Sequence, residues 1–241
     1  MLGSFVNYTS RFFGRDGVGV GQADQQQGTM SAHLHSAADP SGLHEANFVV
    51  FDTELTGLKV KKDSVVSIGA VKMRGERILL GEMFYGQVDP RTALTARSVI
   101  IHGITPTEAA ASPGIDTLLP QFLEFCDDAI MVGHVVSIDL QFLNWEAKEL
   151  NGKPLSNQVV DTYKLYEWIK GRKEDRCAYH GGSPEPGDLF SIAAKYHIPV
   201  QNAHNALSDA FITAQLLQRM LGELPQWGIR TVDDLLRIGR P

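Results

Sequence analysis

The chain has 241 residues, 43% of them apolar and 21% charged, with a formal net charge of −6. That length allows one domain with a full hydrophobic core plus appendages, in an ordinary soluble globular composition. No run approaches the roughly 20 consecutive apolar residues of a membrane span. Two cysteines, Cys126 and Cys177, cannot build a disulfide framework, and the acidic balance argues against a large basic footprint on nucleic acid.

Residues 1–45 carry Gly17 to Gly21, the run Gln25-Gln26-Gln27 and only short apolar pieces such as Phe12-Phe13, the composition of a flexible leader. Arg11 and Arg15 are not followed by the apolar core and cleavage site of a secretory signal, so the expected compartment is the cytoplasm. Strands are expected over Asn47–Thr53, Val65–Met73 and Ile78–Val88. The polar links around Lys59–Asp63 and Gly75-Glu76 are short enough to make them antiparallel neighbours. From Ile115 the period turns helical, with Leu118, Leu119, Phe122, Leu123 and Phe125 in one stripe. A buried strand at Ile130–Val132, a helix over Ile138–Leu150 and a strand at Val159-Val160 follow. Asp188 is placed to cap a helix over Leu189–Tyr196, and the last main helix spans Ala206–Leu221. Gly171–Gly187 reads as a Gly/Pro-rich insertion. Residues 223–241 read as an accessory tail with a short helix at Val232–Ile238, which leaves 46–222 as the main domain. Strands first, then helix and strand in alternation, imply an α/β fold with a mixed sheet flanked by helices.

The acids point to chemistry. Asp52 and Glu54 end an apolar run with one residue between them, so a strand puts both on one face. Two carboxylates at the end of a buried strand repel and lose hydration unless a cation neutralises them. Oxygen ligands without a cysteine cluster favour Mg²⁺ or Mn²⁺ over Zn²⁺ and point toward phosphate chemistry. Acids enough for two ions would let one activate water and the other stabilise the leaving oxygen. His204 supplies an imidazole, the side chain suited to taking a proton from water near neutral pH, and it stands just before Asp209 and the final helix. Cys177 and His180 lack the second pair a zinc site needs.

With these residues in view, the chain from about Asn47 to Leu221 resembles the DEDDh (DnaQ-like) exonucleases, the superfamily of the proofreading epsilon subunit of bacterial DNA polymerase III. Asp52, Glu54, Thr56 and Gly57 match its first motif; Gly133, His134, Asp139, Phe142 and Leu143 its second; His204 and Asp209 its third. His102-Gly103-Ile104 matches a further family feature. Leu55 and Val135 depart from the pattern, at positions where the family commonly has threonine or serine and asparagine respectively. Neither removes a metal ligand or the base, so they are expected to alter substrate contacts or packing.

The resemblance implies a ribonuclease H-like five-stranded sheet and a 3′→5′ exonuclease releasing nucleoside 5′-monophosphates from a single-stranded or frayed 3′ end. Asp52, Glu54 and Asp209 would hold the catalytic metal, with Asp52 bridging to a second ion supported by Asp139, and His204 would deprotonate the water. Thr53, Leu55 and His102 would hold the terminal nucleotide, although His102 serves equally well as a stabiliser of the turn at Gly103. His134 and Asp161 read as structural, and His197, on the helix before Pro199, as a surface residue. The substrate is expected to be DNA, with a polymerase subunit as a possible partner. An RNA-trimming exoribonuclease and a non-catalytic docking module are the alternatives. Basic clusters at Lys59-Lys61-Lys62, Arg91-Arg97 and Lys170-Arg172-Lys173-Arg176 either meet phosphates or are solvated faces.

Overall fold

A computed structural model describes residues 42–176 and 187–241, all within the unit 37–241. The leader up to residue 41, most of the expected 171–187 insertion, and the pair Cys177 and His180 lie outside the described residues. Three strands come first, β1 (Asn47–Leu55), β2 (Val65–Arg74) and β3 (Arg77–Gln87). Helices α1 (Ala96–His102), α2 (Pro106–Ala110) and α3 (Ile115–Cys126) lead to β4 (Ile130–Gly133) and α4 (Ser137–Asn151). Then come β5 (Val159–Asp161), α5 (Thr162–Arg176), α6 (Leu189–Lys195), α7 (Ala206–Glu223), a 3-10 turn (Leu224–Trp227) and α8 (Val232–Ile238).

The sheet has five strands in the order β3-β2-β1-β4-β5. β1 pairs antiparallel with β2 and parallel with β4, so the sheet is mixed, as expected. As the central strand, β1 is buried on both faces, which explains its unbroken apolar run. Its side chains alternate between two cores. Phe48 and Val50 join α5, α6, α7 and α8 on one face, while Val49 and Phe51 join α3 and α4 on the other.

Four expectations need correcting. α5 continues through Gly171 to Arg176, so the insertion expected from 171 begins with helix. α6 ends at Lys195, and His197 lies beyond it with φ 55, exposed as expected but not on the helix. Pro199 disfavours the helical region for the residue before it, which stops the helix early. The segment after α7 is no loose appendage: Leu224, Ile229 and Leu235 are buried in the α7-side core, and Gly239 O accepts from Asp161 N at 2.7 Å. Leu43 N likewise donates to Arg230 O at 3.2 Å, so the fold begins before residue 46.

Candidate active site

Strand parity builds the site. Asp52 and Glu54 continue the face of Phe48 and Val50, the face that packs on α7, whereas Thr53 and Leu55 continue the α3–α4 face. Asp209, in the first turn of α7, therefore meets Asp52 and Glu54, and carboxylate oxygens of these three lie within 4.8 Å of one another. Gly69, opposite Asp52 in β2, makes the approach possible. A Cβ there would stand 2.2 Å from Leu207 N and 2.3 Å from the Ala206 carbonyl carbon. None of the expected motifs includes Gly69; its signal is a glycine inside a mostly apolar strand, the mark of close backbone approach.

Thr53 points the other way and meets Asp139 of α4. Its backbone N–H donates to Asp139 Oδ1 at 3.2 Å and its hydroxyl donates to the same oxygen. Thr53 thus has a holding role on Asp139 that the motifs do not give it. Burial, reinforced by Asp139, Glu54 and Asp209, pushes the Asp52 carboxyl well above its ordinary range. Burial, then Asp209 and Asp139, raises Glu54 to about 8. Burial raises Asp139 to about 6 against the opposing hydrogen bonds from Thr53. It raises Asp209 to about 6 against the opposing hydrogen bond from the His204 backbone. Without a cation, the folded chain keeps protons on this centre well above the usual carboxylate range.

Asp209 Oδ2 accepts from His204 N at 3.0 Å, but Oδ1 is buried with no hydrogen-bond partner among the described residues. An orphaned buried carboxylate oxygen is costly and invites a ligand. An all-oxygen donor set of this kind fits a hard divalent cation. His204 itself sits on an exposed turn with φ 63, one residue before the N-cap Asn205, and its ring packs edge-on against Phe190 with centroids 5.2 Å apart.

A cleft of about 780 Å³ opens beside the acids, lined by Asp52, Glu54 and Asp139 and also by Leu55, His102 and Val135. His102 closes α1 ahead of Gly103, which takes φ 73. His102 Nδ1 accepts from Ile104 N at 3.1 Å, so the neutral ring carries its proton on Nε2, an atom with no partner among the described residues. Burial lowers the pKa of this imidazole and keeps it neutral. Both readings of His102 therefore have a physical basis, turn stabiliser through one nitrogen and free donor through the other.

Asp161 and His134 are structural, as expected. Asp161 accepts from Val135 N at 3.0 Å, Val136 N at 3.2 Å and Tyr163 N at 2.8 Å. His134 has both ring nitrogens engaged, with Thr162 Oγ1 at 2.9 Å and Gly187 O at 3.0 Å. Between them Val135 is held at φ 53, a conformation that β-branched residues rarely adopt.

A family model described as exonuclease (RNase_T) matches residues 49–217. The chain is similar to the DNA polymerase III subunit epsilon of Aquifex aeolicus, 33% identical over 183 residues that cover 76% of this chain and 84% of that protein. It is also 32% identical over 195 residues to the PolC-type DNA polymerase III of Caldanaerobacter subterraneus, covering 79% of this chain but only 13% of that protein. An epsilon-like protein of Rhodobacter capsulatus, 33% identical, is covered over 27% of its length. Among solved structures, the fold resembles E. coli exonuclease I in complex with a dT13 oligonucleotide (TM-score 0.65, 18% identity, 76% of this chain and 42% of that one). It also resembles exonuclease X in complex with 5′ overhanging duplex DNA (TM-score 0.60, 21% identity, 79% and 98%).

Proposed function

The chain belongs to the RNase_T exonuclease family, and from that premise we propose that it is a divalent-metal-dependent 3′→5′ exonuclease that trims single-stranded or frayed DNA to nucleoside 5′-monophosphates. The observation that carries this reading is the convergence of Asp52, Glu54 and Asp209 within 4.8 Å, with one buried carboxylate oxygen lacking a partner among the described residues. Asp52, Glu54 and Asp209 would hold a first Mg²⁺ or Mn²⁺, and Asp52 with Asp139 a second. Bound there, the cations would neutralise the acids, draw in phosphate oxygens and make water a better nucleophile.

The chain's own groups do the rest. His204 takes the proton of the attacking water as the bond from phosphorus to the 3′ oxygen of the preceding nucleotide breaks. Thr53 keeps Asp139 turned toward the site. His102 Nε2–H donates to the terminal nucleotide, and Leu55 gives its base an apolar wall. A relative named as a DNA polymerase III epsilon subunit supports DNA as substrate and a polymerase subunit as partner. End-labelled single-stranded DNA and RNA, incubated side by side with Mg²⁺, Mn²⁺ or EDTA, test this reading. Mononucleotides should be released stepwise from the 3′ end of DNA, EDTA should stop the reaction, and a circular single strand should survive. Full activity in chelator, or cutting of the circle, would overturn it.

A further inference from the structure

The fold treats the basic runs of the sequence unevenly. Lys61 Nζ lies 5.6 Å from the centroid of the Trp145 ring, and Arg91 pairs with Glu146 of α4 at 3.2 Å; neither lines the cleft. On α5, Lys170 faces Glu174 at 3.9 Å, Arg172 lies over Trp168 at 5.0 Å, and Lys173 pairs with Glu223 at 2.6 Å. Lys59, Lys62 and Arg97 behave differently. All three line the same cleft as Asp52, Glu54 and Asp139, and among the described residues their side chains pair with no acid.

These cations share one framework. The loop after β1, which carries both lysines, is tied to the segment leading into α1, which carries Arg97. Thr92 Oγ1 lies 3.1 Å from Thr56 Oγ1 and 2.9 Å from Ser64 Oγ. Apolar side chains on the same two elements, Leu58 (73% exposed) and Ile101 (43% exposed), also line the cleft and leave open surface for a base. The acids need metal to take a phosphate, but a phosphate farther along the strand has no metal and must be met by the protein's own cations. We propose that Lys59, Lys62 and Arg97 form a second subsite for the phosphodiester groups upstream of the terminal nucleotide of a single strand. The proposal rests on the reading of the carboxylates as the catalytic centre.

The test compares kcat/KM on a short single-stranded oligodeoxynucleotide with that on thymidine 5′-monophosphate p-nitrophenyl ester, a diester with no upstream phosphate. Hydrolysis of the ester reports the catalytic centre and the fold. In the variant combining Lys59→Glu, Lys62→Glu and Arg97→Glu, the ratio of the two should fall by about tenfold or more. The salt slope of log kcat/KM on the oligonucleotide should flatten by about 0.7 for each phosphate that the protein no longer neutralises. A charge-matched variant with Lys61→Glu, Arg172→Glu and Lys173→Glu should keep the wild-type ratio. Equal shifts in the two variants would mean a diffuse field rather than a subsite, and no shift in the first would mean that these cations do not touch the strand; either overturns the proposal. A wild-type protein that hydrolyses neither substrate would overturn the reading of the carboxylates, and the subsite with it.

Discussion

Asp161 and Asp209 are both buried acids at the end of an element, 3% and 5% exposed, and they differ in what their oxygens meet. Three backbone N–H groups converge on Asp161. Among the described residues Asp209 has one such donor on Oδ2 and none on Oδ1, with Asp52 and Glu54 beside it. The histidines repeat the contrast, since both nitrogens of His134 are engaged while His102 Nε2 is buried with no partner among the described residues. A buried charge whose two oxygens are both met has finished its work in the folded chain. One left unmet among like charges is held for a ligand, and the fold bears its cost.

The sharpest break of that comparison exchanges the two acids in experiment. Asp209→Ala or Asp52→Ala should lower turnover by roughly 10³-fold or more, the scale of losing electrostatic stabilisation at a reacting centre. The melting temperature measured in chelator should hold or rise, because repulsion is relieved. Asp161→Ala should act in reverse, stranding one buried and two part-buried N–H groups and lowering stability by about 2–4 kcal/mol. Calorimetry and end-labelled degradation assays on both variants check the pair. A melting temperature that falls equally for both would erase the distinction.

His204 sharpens the picture one step down. If its imidazole takes the proton from water, His204→Ala should cut the rate by roughly 10²–10⁴, remove the acid limb of the pH–rate profile and leave Mn²⁺ affinity nearly unchanged. An unchanged rate and profile would make it a bystander.

Much of this was legible in advance. The five strands and the helices α3, α4, α6, α7 and α8 follow from periodicity and caps, since long apolar stripes leave little freedom. The convergence of Asp52, Glu54 and Asp209 follows from strand parity and from the position of Asp209 one turn into α7. What escaped was short or seamless. α1 and α2, 7 and 5 residues long, have no stripe, and their only signals are local: the capping box of Thr95 with Ser98, and that of Thr105 with Glu108 beside Pro106. α5 begins directly after β5 with no turn residue between them, and among its described side chains only a narrow face, Thr162, Leu165, Tyr166 and Ile169, is buried. Gly69 and the three-donor seat of Asp161 are tertiary facts, set by which backbone comes close.

The acid cluster also predicts a pH dependence of stability. Glu54 sits at about 8 in the folded chain and near roughly 4.3 when unfolded, so the fold binds its proton more tightly. The stability this confers is complete below the unfolded value and is lost as pH rises toward 8. Asp139 and Asp209, raised to about 6, act in the same sense at lower pH. Metal-free protein should therefore melt at a higher temperature in mildly acidic than in mildly alkaline buffer. Saturating Mg²⁺, which favours the ionised acids, should flatten or invert that slope. A metal-free melting temperature that rises with pH over this interval would contradict the raised carboxyls.

The smallest effect concerns the strained turn that joins the two regions. Val135 is held at φ 53 between the cleft and the N–H groups that Asp161 gathers, and nothing but that seat compensates a β-branched side chain in the left-handed region. Such a conformation costs on the order of 1–3 kcal/mol, and asparagine bears it more easily. Val135→Asn should thus raise stability by about 1 kcal/mol, a gain of roughly 2–4 °C in melting temperature for a chain of this size. The same substitution removes an apolar side chain from the cleft lining, so KM for single-stranded substrate should move while metal affinity does not. A variant that is less stable than wild type would mean that packing of the valine methyls against the cleft outweighs the strain of the backbone.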